Sequence, residues 1–596
     1  MIELEDKRMA NPNPGKRPKP PVIPPERAGK KIVISAAGAL LTALVGYYIM
    51  LPPLNLKAKE LYLYIFVVLA SFVLLLFLLS GASSKPEYMP YVRKTVRVPV
   101  AIGLAVAVFF GVAWAISSPF FQAKRYSAIM EVKLDASFQE DLPEADFAMI
   151  PKLDESSANL VANRALGDLA KYVSQFVIAE TNTQINYKEK PVRVVTLGYA
   201  NLIKWFTNRS EGIPGYVIVD MANEKSELIE LDERIKYTDA EHFGRLLKRH
   251  LRFQYPTTIF GTPNFEIDDE GKPFWIAPII DMTIGLLGGE DIVGVVLVDA
   301  VTGTHVRYSL EDVRGDESLQ WIDRVFSATL LTTQYNYYGK YKDGFWNSIL
   351  GQSGVTVTTA GYNYIAKEDD VFMYTGITSV AGDQSIIGFI LVNQRTKETT
   401  FYRVNGATES SAQGAAEGLV SAYKWTATFP LLINVAGEPT YFLTLKEPAT
   451  GVLQGYSLVN VGQYNKIKVW GKTMGECIDE YVKALAYNGI NTDNVEIPDE
   501  LPDGETGPGG LGSVIGTVAD IRSAVISGNT IYYIKLDIDP EASESKDSGD
   551  DYYAIAAKDN EMVVLLNVGD LVKITRPQGG AGIMMHSEVT FITAAQ

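Results

Sequence analysis

Three long apolar stretches crowd the first 123 residues, and they limit what this chain can become more than any other feature. Ile32 to Leu56, Leu61 to Ser84 and Val98 to Ala123 contain no Asp, Glu, Lys or Arg. Each is long enough to cross a hydrocarbon core of about 30 Å, which takes roughly 20 helical residues. The flanking charges set an expected orientation. Lys7, Arg8, Lys16, Arg17, Lys19, Arg27, Lys30 and Lys31 precede the first stretch, and Lys85, Arg93, Lys94 and Arg97 lie between the second and third. The link between the first and second offers only Lys57 and Lys59. Short loops rich in Lys and Arg stay cytoplasmic. The amino terminus and Lys85–Arg97 are therefore expected inside, and everything after the third span outside.

Charge divides along the same line. Residues 1–97 hold 14 Lys and Arg against 6 Asp and Glu, while the rest of the chain holds 40 against 64. An ectodomain of net −24 within a chain of net −16 does not suit nucleic acid or anionic lipid as a partner, because both would be repelled. The first apolar run is too long for a signal peptide and is followed by two more. Prolines at 12, 14, 18, 20, 21, 24 and 25 make residues 1–31 an expected disordered, basic, Pro-rich cytoplasmic tail. Cys477 is the single cysteine, so no internal disulfide can form and the ectodomain must hold together by burial. Its surroundings, with Ile478, Tyr481, Val482 and Leu485 at helical spacing, predict a buried small residue rather than a nucleophile.

Within the ectodomain one strand pattern recurs. Gly215–Asp220, Gly294–Asp299, Gly388–Asn393 and Gly455–Asn460 each read as a Gly, an apolar run, then Asp or Asn, with starts 79, 94 and 67 residues apart. The run predicts a buried strand, and the terminal Asp or Asn opens a turn by bonding nearby backbone. A second strand is expected after each turn, at Glu227–Leu231, His305–Leu310, Thr399–Val404 and Lys466–Trp470. Helix signals precede the hairpins. Leu166, Leu169, Val173 and Phe176 follow a Ser156/Ser157 cap. Thr238 and Glu241 form an expected capping box before Phe243, Leu246, Leu247 and Leu251. Leu319, Ile322, Val325 and Phe326 make a third stripe, and Leu419, Val420 and Tyr423 a fourth.

These units, best seen in Gly294–Leu310 and Gly388–Val404, resemble the PepSY domain and the cystatin-like layout. The first copy departs most. The resemblance implies a non-catalytic α+β module, found beside proteases and on bacterial membrane proteins, that works by contact or inhibition. The expected architecture is α+β. It comprises three transmembrane helices at 32–123 and helix-on-antiparallel-sheet repeats at 124–235, 236–315, 316–406 and 407–490. A linker at 491–511 rich in Gly and Pro follows, and then a small OB-like β-barrel at 512–596. Strands in the last domain are expected at 513–521, 530–537, 551–557, 562–565, 570–575 and 589–593. Its acidity argues against oligonucleotide binding.

Chemistry-bearing groupings are sparse. His242 and His250 stand eight residues apart, about 12 Å along one helix, too far to share an ion. No Gly-x-Ser-x-Gly, His-Glu-x-x-His or phosphate-binding glycine loop occurs. No cofactor is expected. Asp537, Asp539 and Glu541 head an acidic loop running to Asp551 that offers oxygen ligands for calcium, without the order of an EF-hand; a solvated insertion is the competing reading. Tyr335, Tyr337, Tyr338, Tyr341, Phe345 and Trp346 gather within a dozen residues. They are either a contact surface for a partner or membrane, or core.

The expectation is a non-enzymatic, multi-pass cell-membrane scaffold. Its amino terminus is cytoplasmic, it contacts the bilayer through residues 32–123, and it binds protein partners or copies of itself in a cell-envelope assembly. A PepSY-like modulator or inhibitor of an envelope protease is the alternative, and a carboxylate-based hydrolase a weaker one.

Overall fold

Helices Ala28–Met50, Lys59–Ser80 and Arg97–Ile116 occupy the three apolar stretches, and each is long and apolar enough to cross a membrane. The computed structural model describes residues 21–167, 171–380, 385–492, 495, 511–526, 529–538, 552–557, 561–577, 583–584 and 588–591. Each helix stops where its sequence forbids another turn. Leu51 turns left-handed ahead of Pro52 and Pro53, and Gly81 does the same after the second. Ser118 and Pro119 follow the third. The expected tail falls mostly at residues 1–20 and the linker mostly at 496–510, both outside the described residues.

The chain divides into two units, and the first is discontinuous: residues 1–122 with 248–259 and 281–290. Its parts are joined by polar bonds at the helix ends. Lys57 Nζ meets Asp281 Oδ1 at 2.6 Å. Arg252 Nε donates to the Leu51 carbonyl at 3.0 Å. Ser117 Oγ accepts the amides of Leu286 and Leu287 at 3.0 and 3.1 Å. These bonds satisfy helix-terminal and hairpin-tip groups that water would otherwise have to reach.

Past the third apolar helix the chain forms a short strand, Lys133–Ala136 (β1), and then four largely antiparallel sheets in succession. The first runs Phe176–Tyr187 (β2), Lys190–Tyr199 (β3), Ile213–Asp220 (β4) and Lys225–Ile235 (β5) in that order. In the second, Ile259–Phe260 (β6) and Asn264–Ile267 (β7) both pair with Pro273–Ile284 (β8), followed by Gly288–Asp299 (β9) and His305–Ser309 (β10). The third places Thr356–Thr358 (β11) and Asn363–Lys367 (β12) on Asp370–Ser379 (β13). Ser385–Ile386 (β14) is not a ladder partner within it, and the sheet continues through Gly388–Asn393 (β15) and Thr399–Tyr402 (β16), with β1 parallel on its far edge. Gly406–Ala407 (β17) pairs with β14. The fourth has Thr426–Ala427 (β18) and Leu431–Val435 (β19) on Glu438–Lys446 (β20), then Leu453–Asn460 (β21) and Lys468–Gly471 (β22).

The four Gly-apolar-Asp/Asn segments thus occupy the same place, the next-to-last strand of the meander. Val217, Val296, Ile390 and Leu458 are all fully buried there. One physical reason accounts for the four glycines. A Cβ on Gly215, Gly294, Gly388 or Gly455 would stand 1.8, 2.4, 2.3 or 2.6 Å from a backbone oxygen of the following strand, on Ile229, Tyr308, Tyr402 or Gly471. The acidic or amide ends behave as expected too. Asp220, Asp299 and Asn393 each use Oδ1 to accept two amides, two and three residues on, at 2.8–3.0 Å. Asn460 accepts from Gln463 at 2.7 Å.

The helices depart further from expectation. The first, Glu155–Gly167, packs across β2 to β5, but Asp154 caps it by accepting the Ser157 amide at 2.9 Å, so Ser156 and Ser157 are helical. Val173 lies in a turn and Phe176 opens β2; Leu169 is outside the described residues. No capping box forms at Thr238. Glu241 is instead buried, accepting from Tyr199 Oη at 2.6 Å and Trp205 Nε1 at 2.8 Å, and the helix starts only at Leu247. Leu319, Ile322, Val325 and Phe326 are core residues, but they precede the third helix, Ala328–Tyr341, which Ser327 caps. The fourth helix, Glu409–Leu419, packs on β18 and β20 to β22; Val420 is its C-cap and Tyr423 lies beyond it. Met474–Tyr487 follows as a helix with a true capping box, Thr473 with Glu476, and Cys477 fully buried.

The last sheet comprises Leu511–Ile526 (β23), Asn529–Ile538 (β24), Tyr552–Ala556 (β25), Leu571–Pro577 (β26), Ile583–Met584 (β27) and Glu588–Phe591 (β28), in the order β27-β25-β24-β23-β26-β28. The strand expected at 562–565 is a 3₁₀ turn, Glu561–Leu565. Asn567 and Asp570 close the next turn, with Gly569 at φ 100°.

A groove along the edge of β12

Sheets three and four bring two edge strands close together. β12 is bonded on one side only, to β13, and β19 on one side only, to β20. Asn363 Nδ2 bridges toward the Phe429 and Pro430 carbonyls at 3.4 and 3.3 Å, and Tyr374 Oη bonds the Pro430 carbonyl. Segment 138–151 then covers the free edge of β19. Ala145 N donates to the Asn434 carbonyl at 2.9 Å and Asn434 Nδ2 to the Leu142 carbonyl at 2.8 Å. The Glu144 carboxylate accepts the amides of Ala436 and Gly437 at 2.9 and 2.8 Å. These two residues form the tight β19–β20 turn, both with positive φ.

Among the described residues nothing equivalent covers β12. A groove of about 560 Å³ lies against it, floored by Leu142, Ile150, Ile365, Phe372, Leu391, Leu431 and Ile433. Its rim carries Glu140, Asp141, Glu144, Asp146 and Glu368, all exposed, against the single cation Lys367. The register of β12 with β13 runs from Lys367–Asp370 at the hairpin to Asn363–Tyr374. In such a hairpin the closing pair is hydrogen-bonded and alternate residues follow it, so Tyr364 and Ala366 turn their backbone groups outward. Asn363 Oδ1 accepts the Tyr364 amide at 2.9 Å. Ala366 has no backbone bond on that side among the described residues. An unpaired edge beside an apolar trough is a template for an added strand.

A second trough shares the Phe372, Leu391, Lys367 and Glu368 wall and holds about 810 Å³. Its floor is a paired charge: Arg395 grips Asp370 through Nε and a terminal nitrogen at 2.7 and 2.8 Å, and Asn393 adds a third bond at 2.8 Å.

Behind the grooves sits an enclosed polar cluster. Glu266 of β7 accepts the amides of Asp323 and Arg324 at 2.8 and 3.0 Å, and Asp323 accepts that of Asn186 at 2.7 Å. Arg324 donates to Tyr364 Oη at 2.8 Å and covers its ring at 4.1 Å. Burial pushes the Glu266 carboxyl up to about 7, and burial with the neighbouring Glu266 and Asp370 charges raises Asp323 well above the carboxylate range. Asp323 Oδ1 and Asn186 Oδ1 have no hydrogen-bond partner among the described residues. Two acceptors facing an apolar interior are cheaper to bury when one carboxyl holds a proton.

The aromatic cluster chosen from sequence is split. It lies on the helix Ala328–Tyr341 and the turn after it. Tyr335 is core, and burial raises its phenol. Tyr337 and Tyr341 lie 4.7 and 6.4 Å from the ring of buried Tyr126, and Tyr338 packs beside Tyr335 at 5.7 Å. Phe345 stacks on Tyr341 at 6.3 Å, while Trp346 is 62 % exposed. Of the calcium candidates, Asp537 is an exposed end-of-strand residue, and Asp539 and Glu541 lie outside the described residues. No group of three or more His, Cys, Asp or Glu among the described residues is arranged to hold a metal. Sequence reasoning missed the groove, although four carboxylates in Glu140–Asp146 mark its rim.

No protein-family model matches this chain, and no curated protein matches it. Among solved structures, a polysaccharide lyase, Uly1, aligns over 69 % of this chain and 75 % of its own at 9 % identity, with a TM-score of 0.15. A likeness that low carries no argument about fold or activity, so the chain's own geometry is what bears on its function.

Proposed function

We propose that this chain is a membrane-anchored scaffold whose extracytoplasmic part binds an extended, basic segment of a partner protein along β12. The observation that carries this is the open β12 edge above an apolar floor with an acidic rim. Apolar side chains of a strand would alternate into the floor, cations would meet the rim, and the outward groups of Ala366 would pair with its backbone. The lysine and arginine asymmetry across the three spans supports an inside amino terminus and an outside carboxyl-terminal part.

Several observations support reading residues 150–470 as four copies of one α+β unit: the shared strand order, the four equivalent glycines and the four Asx turns. That regularity also favours the second reading, a PepSY-like module that modulates an envelope protease by contact. For the last domain, β27 runs parallel to β25 and β28 antiparallel to β26. Strands at both edges of this sheet support the OB-like reading.

Two measurements test the proposal. The full chain in lipid nanodiscs should bind a fluorescent peptide of alternating Leu and Lys in a salt-sensitive way, with affinity cut at least tenfold by Ala366→Pro, and ignore a Leu/Glu counterpart. Equal binding of both peptides refutes the groove. Crosslinking in native membranes distinguishes the readings: a protease as the product favours modulation. A cysteine near Lys94 should be shielded from an impermeant thiol reagent in intact cells and one near Ser545 labelled; the reverse overturns the orientation.

A further inference from the structure

Two apolar patches on the second unit have no use in the groove. The first is built on the helix Leu202–Asn208, capped by Asn201, whose side chain accepts the Lys204 amide. Leu202, Ile203 and Phe206 are 66, 73 and 61 % exposed, and Phe243, 5.9 Å from Trp205, is 62 % exposed. Cations surround them in a domain that is otherwise acidic: Lys204 follows Ile203, Arg209 lies 4.5 Å over the Phe206 ring, and Arg245 bonds the Arg209 carbonyl. The second is the turn after the helix Ala328–Tyr341, where Ile349 and Leu350 are 51 and 77 % exposed beside Trp346. In a protein surrounded only by water, seven large apolar side chains this bare would be a liability.

Chain connectivity says what covers them. Phe243 is five residues before Lys248, so it can lie no more than about 18 Å from it. From Lys248 onward the chain is tied to the end of the first span: Arg249 covers the Tyr48 ring at 4.1 Å and Phe253 meets Tyr47 at 5.9 Å. The second patch is held by Tyr126, which packs on Tyr337 and Tyr341. Tyr126 lies ten residues beyond the end of the third span at Ile116, just past a break at Gln122. Both patches are therefore leashed to points where the chain leaves its apolar spans. Aromatic and aliphatic groups flanked by Arg and Lys suit the zone where acyl chains give way to phosphates.

We infer that these patches seat in the outer leaflet of the membrane that holds the three spans, so that the ectodomain rests on lipid instead of swinging on its anchors. This rests on residues 28–116 being membrane-spanning and is independent of the β12 groove.

The test uses the full chain with Ile203→Cys, Leu350→Cys or, for comparison, the 92 % exposed Tyr487→Cys. The native Cys477 is fully buried. Each variant is labelled with an environment-sensitive nitrobenzoxadiazole and reconstituted in phosphatidylcholine–phosphatidylglycerol vesicles. Probes at 203 and 350 should emit to the blue of the probe at 487 and be quenched at least twofold by lipids carrying a nitroxide. Water-like emission without quenching at both sites overturns the inference. Blue emission that resists lipid nitroxides and fades when protein is diluted in lipid also overturns it, because a second copy would then be the cover. Resistance of the chain to alkaline extraction from the vesicles checks the spans separately.

Discussion

The helices of the first unit and the sheets of the second use the same residues in opposite ways. Leu40, Leu44, Val98 and Leu104 expose 63 to 67 % of their surface, whereas Val217, Val296, Ile390 and Leu458 expose none. The sheets sequester their apolar side chains and leave charge outside; the helices display theirs all round. The contrast teaches that apolar content alone does not decide where a side chain goes. An uninterrupted run longer than 20 residues has no polar face to turn outward, so its surroundings must be apolar. A four-residue run between a Gly and an Asp or Asn ends before that happens and is covered by neighbouring strands and helices.

The comparison can be broken most severely at a sheet. Val296→Asp places an unpaired charge in the fully enclosed middle of β9 and should cost upwards of about 4 kcal/mol, enough to unfold that region. Loss of near-ultraviolet dichroism and a fallen denaturant midpoint would register it; an unchanged midpoint would mean that β9 is not core. Leu44→Asp, at a bare position of the first helix, should cost less, roughly 3 kcal/mol of membrane insertion, and leave the second unit's unfolding midpoint unmoved. It is read by protease protection of the chain in membranes, and full protection with normal yield would contradict a lipid-facing helix.

The enclosed polar cluster sharpens the contrast at a smaller scale. Asp323 is raised in the folded state, so the native chain holds a proton that the unfolded chain releases near the ordinary carboxylate value. Its share of stability is complete below that value and is lost as pH rises through the elevated one; Glu266, raised to about 7, adds in the same direction between about 4.5 and 7. Asp323→Asn imitates the protonated form. It should stabilise the protein by about 1–2 kcal/mol at pH 8, change little at pH 4, and flatten the slope between. Equal unfolding midpoints for variant and parent at pH 8 would show that Asp323 bears no such strain. The smallest effect expected is from Tyr338→Ala with Trp346→Ala: Trp346 is exposed and should cost under about 0.5 kcal/mol, so nearly all of the loss belongs to half-buried Tyr338. A loss carried instead by Trp346→Ala alone would place that ring in the core.

Much of this arrangement was legible in the residues, and the failures have physical causes. The spans, the four buried strands and their Asx turns, and five of the strands of the last sheet are written in local composition and period. The helix expected at Thr238 failed because Glu241 is claimed by Tyr199 and Trp205, 42 and 36 residues away in sequence, partners no local pattern reveals. The aromatic cluster admits both a contact reading and a core reading from sequence; Tyr335, Tyr338 and Tyr341, or Tyr337 and Tyr341, keep helical spacing, and that period is the signal for the helix. The β12 groove had almost none, since it exists only where residues 140–151, 365–372 and 431–434 converge.

The first unit is completed late in synthesis. Its first 122 residues are complete long before residues 248–259 and 281–290 exist, yet Lys57 waits for Asp281 and Ser117 for Leu286 and Leu287. At about 5–20 residues per second, the ribosome needs on the order of 10–30 s to travel from the third helix to that hairpin. Throughout that interval the three apolar helices lack their final polar ties, and any factor that shields them has that long to act.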